Sequence, residues 1–330
     1  MPSGLLIGVL VAAFCFELIN GFHDTANAIA PMVFTRALTA FQAIALCAVM
    51  NFVGALTNES VAETIAKGIV NVDVDLVVIL AALLGATLWD VFTWWRCIPT
   101  SSSHALIGGL IGATMAYTGT VQTVRWDGVL QKVIIPLFTS PLMGILLGFL
   151  GMRLVFELFA NWTPHHANAF FSKMQILSSA FMAYEHGSND AQKTMGIITL
   201  ALVTVGQLDA SAGVPLWVKL FCAGTMMLGT AVGGKRIMGT VGEGVTKLEP
   251  ASGFVAETSS ALAIAVMTAF GAPVSTTQVV TASVMGAGSA HRPGAVRWGT
   301  VGGIVKSWFV TLPTTIALGA VIEIVVRLLV

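Results

Sequence analysis

Two short polar segments interrupt apolar sequence, and their residue types are those that hold cations or protons. Gly21-Phe22-His23-Asp24-Thr25-Ala26-Asn27-Ala28 lines up with Gly187-Ser188-Asn189-Asp190-Ala191-Gln192-Lys193-Thr194. Read as helix, at about 100° per residue, the first places Glu17, Asn20, Asp24 and Asn27 within one narrow arc, with Leu18, Ile19 and Phe22 pointing elsewhere. His186, Asn189, Asp190 and Lys193 form a comparable stripe in the second. An ionised residue at mid-membrane costs about 2.5–3.5 kcal/mol even on a lenient insertion scale, so the two Asp and the Lys must face one another, water or an ion. A structural ion pair of Lys193 with Asp24 or Asp190 is the plainer alternative. Duplicated amide-plus-carboxylate stripes exceed what one pair requires, and a cation or proton site accounts for them better.

A second pair of motifs points to an anion. Pro99-Thr100-Ser101-Ser102-Ser103-His104 and Pro273-Val274-Ser275-Thr276-Thr277-Gln278 each read as the start of a half-helix. Pro fixes φ there, and Ser or Thr just beyond it caps free N–H groups. Each motif lies between an apolar run and a segment too short to span, which predicts a re-entrant helical hairpin with its tip at membrane depth. Irregular backbone is tolerated there only where it is buried or lines a cavity. A half-helix N-terminus offers unpaired N–H donors and partial positive charge. To these the tips add the hydroxyls of Ser101, Ser102 and Ser103, and of Ser275, Thr276 and Thr277. That set suits a tetrahedral oxyanion without Arg. Capping of buried helix ends is the alternative, but broken segments at matching positions in two halves are the usual mark of a transporter's binding site.

The elements that must position these residues are membrane helices. Of 330 residues 56% are hydrophobic and only 10% charged, against about a quarter charged in a soluble domain. Mean hydropathy is +0.86. The 34 Gly and 14 Met fit helices packed closely in lipid. A soluble enzyme, a disordered regulator and a secreted disulfide scaffold are excluded. Lys+Arg and Asp+Glu balance at 16 each, and no run of like charge suits nucleic acid or a polybasic lipid patch. Cys15, Cys47, Cys97 and Cys222 lie in apolar surroundings without CxxC spacing and read as core thiols. The apolar N-terminus lacks a basic leader and a cleavage site, and reads as an uncleaved first span.

Stretches near the twenty residues or so that cross a bilayer are Gly4–Ala30 and Gln175–Val205 (both interrupted by polar residues), Ala37–Leu56, Val74–Trp95, Val133–Phe159, Leu216–Val232, Phe254–Ala272 and Gly299–Leu328. Ala105–Thr118 and Val279–Gly288 are apolar but short. The expectation is an all-α polytopic membrane protein with about ten embedded helices and no metal site. Its longest polar connections are Thr57–Asp75 and Gly233–Ser252. The chain also repeats itself. Besides the two motif pairs, Thr64-Ile65-Ala66-Lys67-Gly68-Ile69 echoes Thr240-Val241-Gly242-Glu243-Gly244-Val245, in the same order. Two homologous halves, 1–130 and 165–295, are expected, with 131–164 and 296–330 supplying the helices that close them.

Other polar residues carry less. Glu63 and Glu257 sit near the repeats, in solvated or capping roles or on an ion path. Asp90 is intramembrane and paired, Trp94-Trp95-Arg96 is an interfacial anchor, and His165-His166 is solvated in the central connection. No HExxH, nucleotide loop or nucleophile elbow occurs.

At these motifs the chain resembles the PiT-type inorganic phosphate transporters, whose repeated signature is approximately G-x-N-D-x-A-N-A. The likeness covers nearly the whole chain. It implies inverted repeats, a phosphate site between the hairpin tips, cation coupling through the signature Asp and Asn residues, and a homodimer in the cell membrane. On this likeness Ser101, Ser102, Ser103, Ser275, Thr276 and Thr277 contact phosphate, and Asp24, Asn27 and Asp190 serve the coupling ion. Glu63 and Glu257 match glutamates of the family's Glu-Thr-Ile and Phe-x-x-Glu patterns. His23 stands in place of the first signature Asn, and Gln192-Lys193 in place of Ala-Asn in the second. His23-Asp24 and Asn189-Asp190 in these contexts look like the bacterial low-affinity Pit branch, associated with proton-coupled uptake of phosphate or metal-phosphate. An ammonium at Lys193 can occupy or repel the place of a second sodium, and an imidazole ordinarily titrates near pH 6.5. Proton coupling is therefore expected over sodium, with no other cofactor. Sulfate carriers within the family, sodium-coupled phosphate carriers and an intramembrane metal enzyme using His23, Asp24, His186 and Asp190 are the competing readings.

Overall fold

A computed structural model describes residues 2–70, 74–232 and 245–329. Every element among them is a helix, apart from an isolated bridge between Val70 and Val124. In chain order these are α1 (Pro2–Phe34), α2 (Ala40–Ala55), α3 (Ser60–Lys67), α4 (Leu76–Trp95) and α5 (Ser102–Thr118). Then come α6 (Trp126–Leu158, with a π-turn at Leu130–Ile134), α7 (Pro164–Thr204), α8 (Leu216–Val232), α9 (Pro250–Ala269), α10 (Thr276–His291) and α11 (Trp298–Leu329).

The polar segments do not break their helices: α1 and α7 run straight through them. Among the described residues five helices, α1, α4, α6, α9 and α11, are long and apolar enough to cross a membrane, and α2 with α3, bent by 65°, forms a candidate sixth span. The ten segments expected to be embedded are all helical, and four of them fall outside this count for two reasons. The 41-residue α7 carries the polar stripe and is not apolar enough to count, and α5, α8 and α10, at 17, 17 and 16 residues, are too short. The connection Thr57–Asp75 is not all loop, because it contains α3. Val61, Ala62 and Ile65 give α3 an apolar face that is buried. Most of Gly233–Ser252, including residues 240–244 of the repeat, lies outside the described residues.

Burial divides the molecule into two apolar cores. Val9, Ala13 and Phe16 of α1 join one with α4, α5 and α8, and Ala28–Met32 of α1 join the other with α2, α9 and α10. On α7, Met182 and Ala183 belong to the second core and Met195–Leu202 to the first. Between them both helices carry their charged residues, so the polar segments form a buried layer separating the two cores.

Helix pairing is the same for both halves. α1 packs on α8 and α4, as α7 packs on α2 and α9; α5 packs on α4 and α11, as α10 packs on α9 and α6. Glycine contacts repeat this correspondence residue by residue. A Cβ on Gly112 of α5 would lie 1.9 Å from the Ile316 carbonyl of α11, and one on Gly286 of α10 would lie 2.2 Å from the Ile145 carbonyl of α6. Val124-Arg125-Trp126 and Val296-Arg297-Trp298 also correspond, and the Arg125 and Arg297 amides donate to the carbonyls of Ile69 and Val245, each at 2.9 Å. α6 and α11 are thus counterparts, a correspondence whose sequence signal is the shared Val-Arg-Trp. Both also turn large apolar residues outward, including Leu142, Leu146, Val321 and Ile324.

Candidate functional site: the meeting of two helix tips

The polar layer is completed by the N-termini of α5 and α10. Ser101 and Ser275 are N-caps, with extended backbone, whose side chains accept the amides of His104 at 3.2 Å and Gln278 at 3.3 Å. For these two residues the capping role is real. It leaves the first-turn amides of each helix outside the intrahelical ladder. From residue 101 to 114, and from 271 to 288, every residue is buried, so both tips end inside the protein.

The tip of α10 reaches both signature carboxylates. Thr277 Oγ1 donates to Asp24 Oδ1 at 3.0 Å, and Thr276 Oγ1 donates to Asp190 Oδ2 at 3.3 Å. Ser103 Oγ donates to the Val274 carbonyl at 2.8 Å, joining one tip to the other. Lys193 ties this centre together. Its ammonium is 2.6 Å from Asp190 Oδ1, 3.1 Å from the Val274 carbonyl, and hydrogen-bonded to Ser103 Oγ. The structural ion pair weighed from sequence therefore exists, with Asp190 and not Asp24 as the partner. Asp24 instead has His23, whose Nδ1 lies 2.8 Å from Asp24 Oδ1. His186 contributes Nε2 at 3.4 Å from Asp190 Oδ2.

Other candidates support the layer or stand apart. Asn189 Nδ2 donates to Thr268 Oγ1 at 2.8 Å and to the Ala272 carbonyl at 3.2 Å, holding the approach to the second tip. Glu257 is buried in a separate cluster, accepting from Ser178 at 2.7 Å, Ser179 at 2.8 Å and Gln175 at 3.4 Å. Glu63 is exposed on α3, outside the buried layer. The side chain of Asn27 lies outside the described residues. Asp90 is buried, and the groups that act on it include His23 and, from the first tip, the hydroxyl of Ser102. Both amide atoms of Gln278, buried at the second tip, have no hydrogen-bond partner among the described residues. Buried polar atoms are normally satisfied, so this amide is open to a further partner.

Several contacts had no local sequence signal. Gln192 accepts the Val61 amide at 2.8 Å and the Ala62 amide at 3.2 Å, capping α3 from α7. Thr25 and Thr230 lie 2.9 Å apart, and Asn51 donates to Thr230 at 3.1 Å. Only the spacing of Glu17 in the first stripe pointed to its bond with Thr194. No group of three or more metal-ligating side chains occurs among the described residues.

The layer thus brings the hydroxyls of two helix N-termini, a lysine and two carboxylates together. A Bacillus subtilis (strain 168) protein, described as a probable low-affinity inorganic phosphate transporter, is 43% identical over 328 residues, covering 98% of this chain and 98% of its own. A Mycobacterium tuberculosis (strain ATCC 25618 / H37Rv) protein of the same description is 45% identical over 319 residues, 96% of this chain and 76% of its own. A solved structure described as the sodium-dependent phosphate transporter shares the fold, with a TM-score of 0.91 at 24% identity over 99% of this chain and 100% of that one. These are carriers, which sets aside the intramembrane enzyme. Residues 20–319 match the phosphate transporter family, and this multi-pass membrane protein belongs to that family.

Proposed function

We propose that the chain carries inorganic phosphate, free or as a divalent-metal complex, across the membrane in symport with protons, by alternating access. The observation that carries this reading is the contact of each signature Asp with the tip of α10, and of Lys193 with both tips. Ser101, Ser102, Ser103, Ser275, Thr276 and Thr277, with the first-turn amides, form the phosphate-binding set. Lys193 supplies fixed positive charge and compensates Asp190, so the second half needs no further cation there. Asp24 takes the coupling proton. An ionised carboxylate only accepts hydrogen bonds, whereas a protonated one also donates. Protonation of Asp24 releases Thr277 from obligatory donation and frees that hydroxyl for the anion. Hydrogen phosphate can donate its own proton to an ionised Asp24, and sulfate has none to donate.

The repeat-related packing further supports two halves extending over 2–158 and 164–329, longer than the motifs alone define, and arranged as inverted repeats. Rocking of one core and its tip against the other would expose the polar layer alternately. Sodium coupling is the second reading, favoured by the description of the structural relative. The two are separated by labelled phosphate uptake into proteoliposomes under an inward proton or sodium gradient, with sulfate as competitor. Proton-driven accumulation resistant to sulfate is expected. Sodium-driven accumulation insensitive to pH overturns the proton reading, and strong inhibition by sulfate overturns the choice of anion.

A further inference from the structure

Beside the first signature stripe lies a hydrogen-bonded chain that phosphate binding does not use. Thr100 Oγ1 donates to Thr93 Oγ1 at 3.0 Å, and Thr93 Oγ1 lies 3.4 Å from His23 Nε2. Across the imidazole ring, Nδ1 is 2.8 Å from Asp24. Thr93, Thr100, His23 and Asp24 are all buried. At its outer end the chain meets a mainly apolar cavity of about 540 Å³ between α4, the first tip and α11, lined by Trp89, Phe92 and Ile304 with Thr93, Thr100 and Lys306. Asp190 faces Lys193 instead, and an ammonium has no acceptor site through which to pass a proton inward.

We infer that this cavity, with Thr100, Thr93 and His23, is the route by which the coupling proton reaches Asp24; the inference rests on the proton-coupled reading above. A proton delivered at the cavity wall, where Lys306 and Ser307 lie, binds Thr100 Oγ1 as that hydroxyl passes its own hydrogen to Thr93. Thr93 passes its hydrogen to His23 Nε2, and Nδ1 releases its hydrogen to Asp24. At each relay atom one bond to hydrogen forms and one breaks, and the single added charge neutralises the carboxylate. Thr93 Oγ1 also lies 3.0 Å from the Trp89 carbonyl, so rotation about Cβ–Oγ turns its hydrogen between that carbonyl and the ring. Asp24 on its own helix and Asp90 of α4 are the charged groups acting on His23, and His186 and Lys193 of α7 act on Asp24. From α2, α8 and α10 the nearby groups are the neutral Asn51, Thr230 and Thr277. Thr93 and Thr100 are positioning residues that act through His23.

The test uses the full chain in proteoliposomes containing a pH dye, comparing wild type, Thr93→Val, Thr93→Ser and Thr100→Val. Both valine variants are expected to lose proton-driven phosphate accumulation and phosphate-dependent acidification by about ten-fold or more, as for a missing proton-transfer group. Phosphate–phosphate exchange at equal pH should fall far less, and Thr93→Ser should restore acidification. Acidification at the wild-type rate in both valine variants overturns the route. So do equal losses of exchange and accumulation without rescue by serine, which would mean a structural role. A wild type that accumulates phosphate without acidification overturns the proton reading itself, and the route with it.

Discussion

Lys193 and Asp190 are buried together, each at 1% side-chain exposure or less, and their charges are satisfied chiefly by each other. Removing one partner of such a pair leaves a desolvated charge and costs about 3–5 kcal/mol, whereas replacing both is often nearly neutral. Lys193→Met should therefore lose about that much stability, and Asp190→Asn combined with Lys193→Met should recover most of it. Denaturation of the purified variants in detergent measures both; additive losses would mean that the pair is not the unit of stability. Transport should move differently. The double variant lacks the fixed cation beside Ser103 and should stay inactive although stable. Lys193→Asn brings back the signature's amide, and should weaken proton coupling or admit sodium. Unchanged ion dependence of uptake in that variant would count against the role given to Lys193.

Helix contacts explain why each signature begins with glycine. A Cβ on Gly187 would lie 2.1 Å from the Asn51 carbonyl of α2, and one on Gly54 of α2 would lie 2.0 Å from the Tyr184 carbonyl of α7. In the other half, Gly21 faces the Met226 carbonyl of α8 at 2.8 Å, and Gly229 the Leu18 carbonyl at 2.4 Å. Close backbone approach sets where Asp24 and Asp190 stand, since each lies within a turn of its glycine. Gly187→Ala should force α2 from α7, destabilise by about 1–3 kcal/mol as overpacking does, and abolish uptake. Gly224→Ala, where nothing lies within 4 Å, should be neutral or slightly stabilising by melting temperature; equal effects at both sites would refute the argument. What sequence made legible follows the same division. Apolar run length read α8 to its ends, and Pro with Ser or Thr read the starts of α5 and α10, because both signals are local. The helix α3 was not legible, since its short apolar face and its cap by Gln192 depend on α7, over a hundred residues away. For the same reason Glu63 and Glu257 looked alike in sequence, yet one is exposed on α3 and the other is buried among serines.

At the scale of the whole molecule, two apolar cores meet at a polar layer, and one buried tip projects into that layer from each. α5 belongs to the core that holds the first part of α1, and α10 to the core that holds its last part. The direct link between tips is small: Ser103 to the Val274 carbonyl, with Lys193 beside both. A few hydrogen bonds, each worth about 0.5–1.5 kcal/mol net, can be exchanged for bonds to water or phosphate at little cost, whereas parting either core would expose a large apolar area. Motion should therefore separate tip from tip and leave each core intact. Joining the tips covalently tests this. In a background with Cys15, Cys47, Cys97 and Cys222 replaced by Ser, Ser103→Cys with Val274→Cys, slower than wild type because Ser103 belongs to the binding set, should lose its remaining uptake on oxidation or treatment with a short bifunctional thiol reagent. Reduction should restore uptake after oxidation, and the single cysteine variants should be insensitive to either treatment. Uptake that persists at the uncrosslinked rate would mean that phosphate passes without the tips parting, and would point instead to a path around the polar layer.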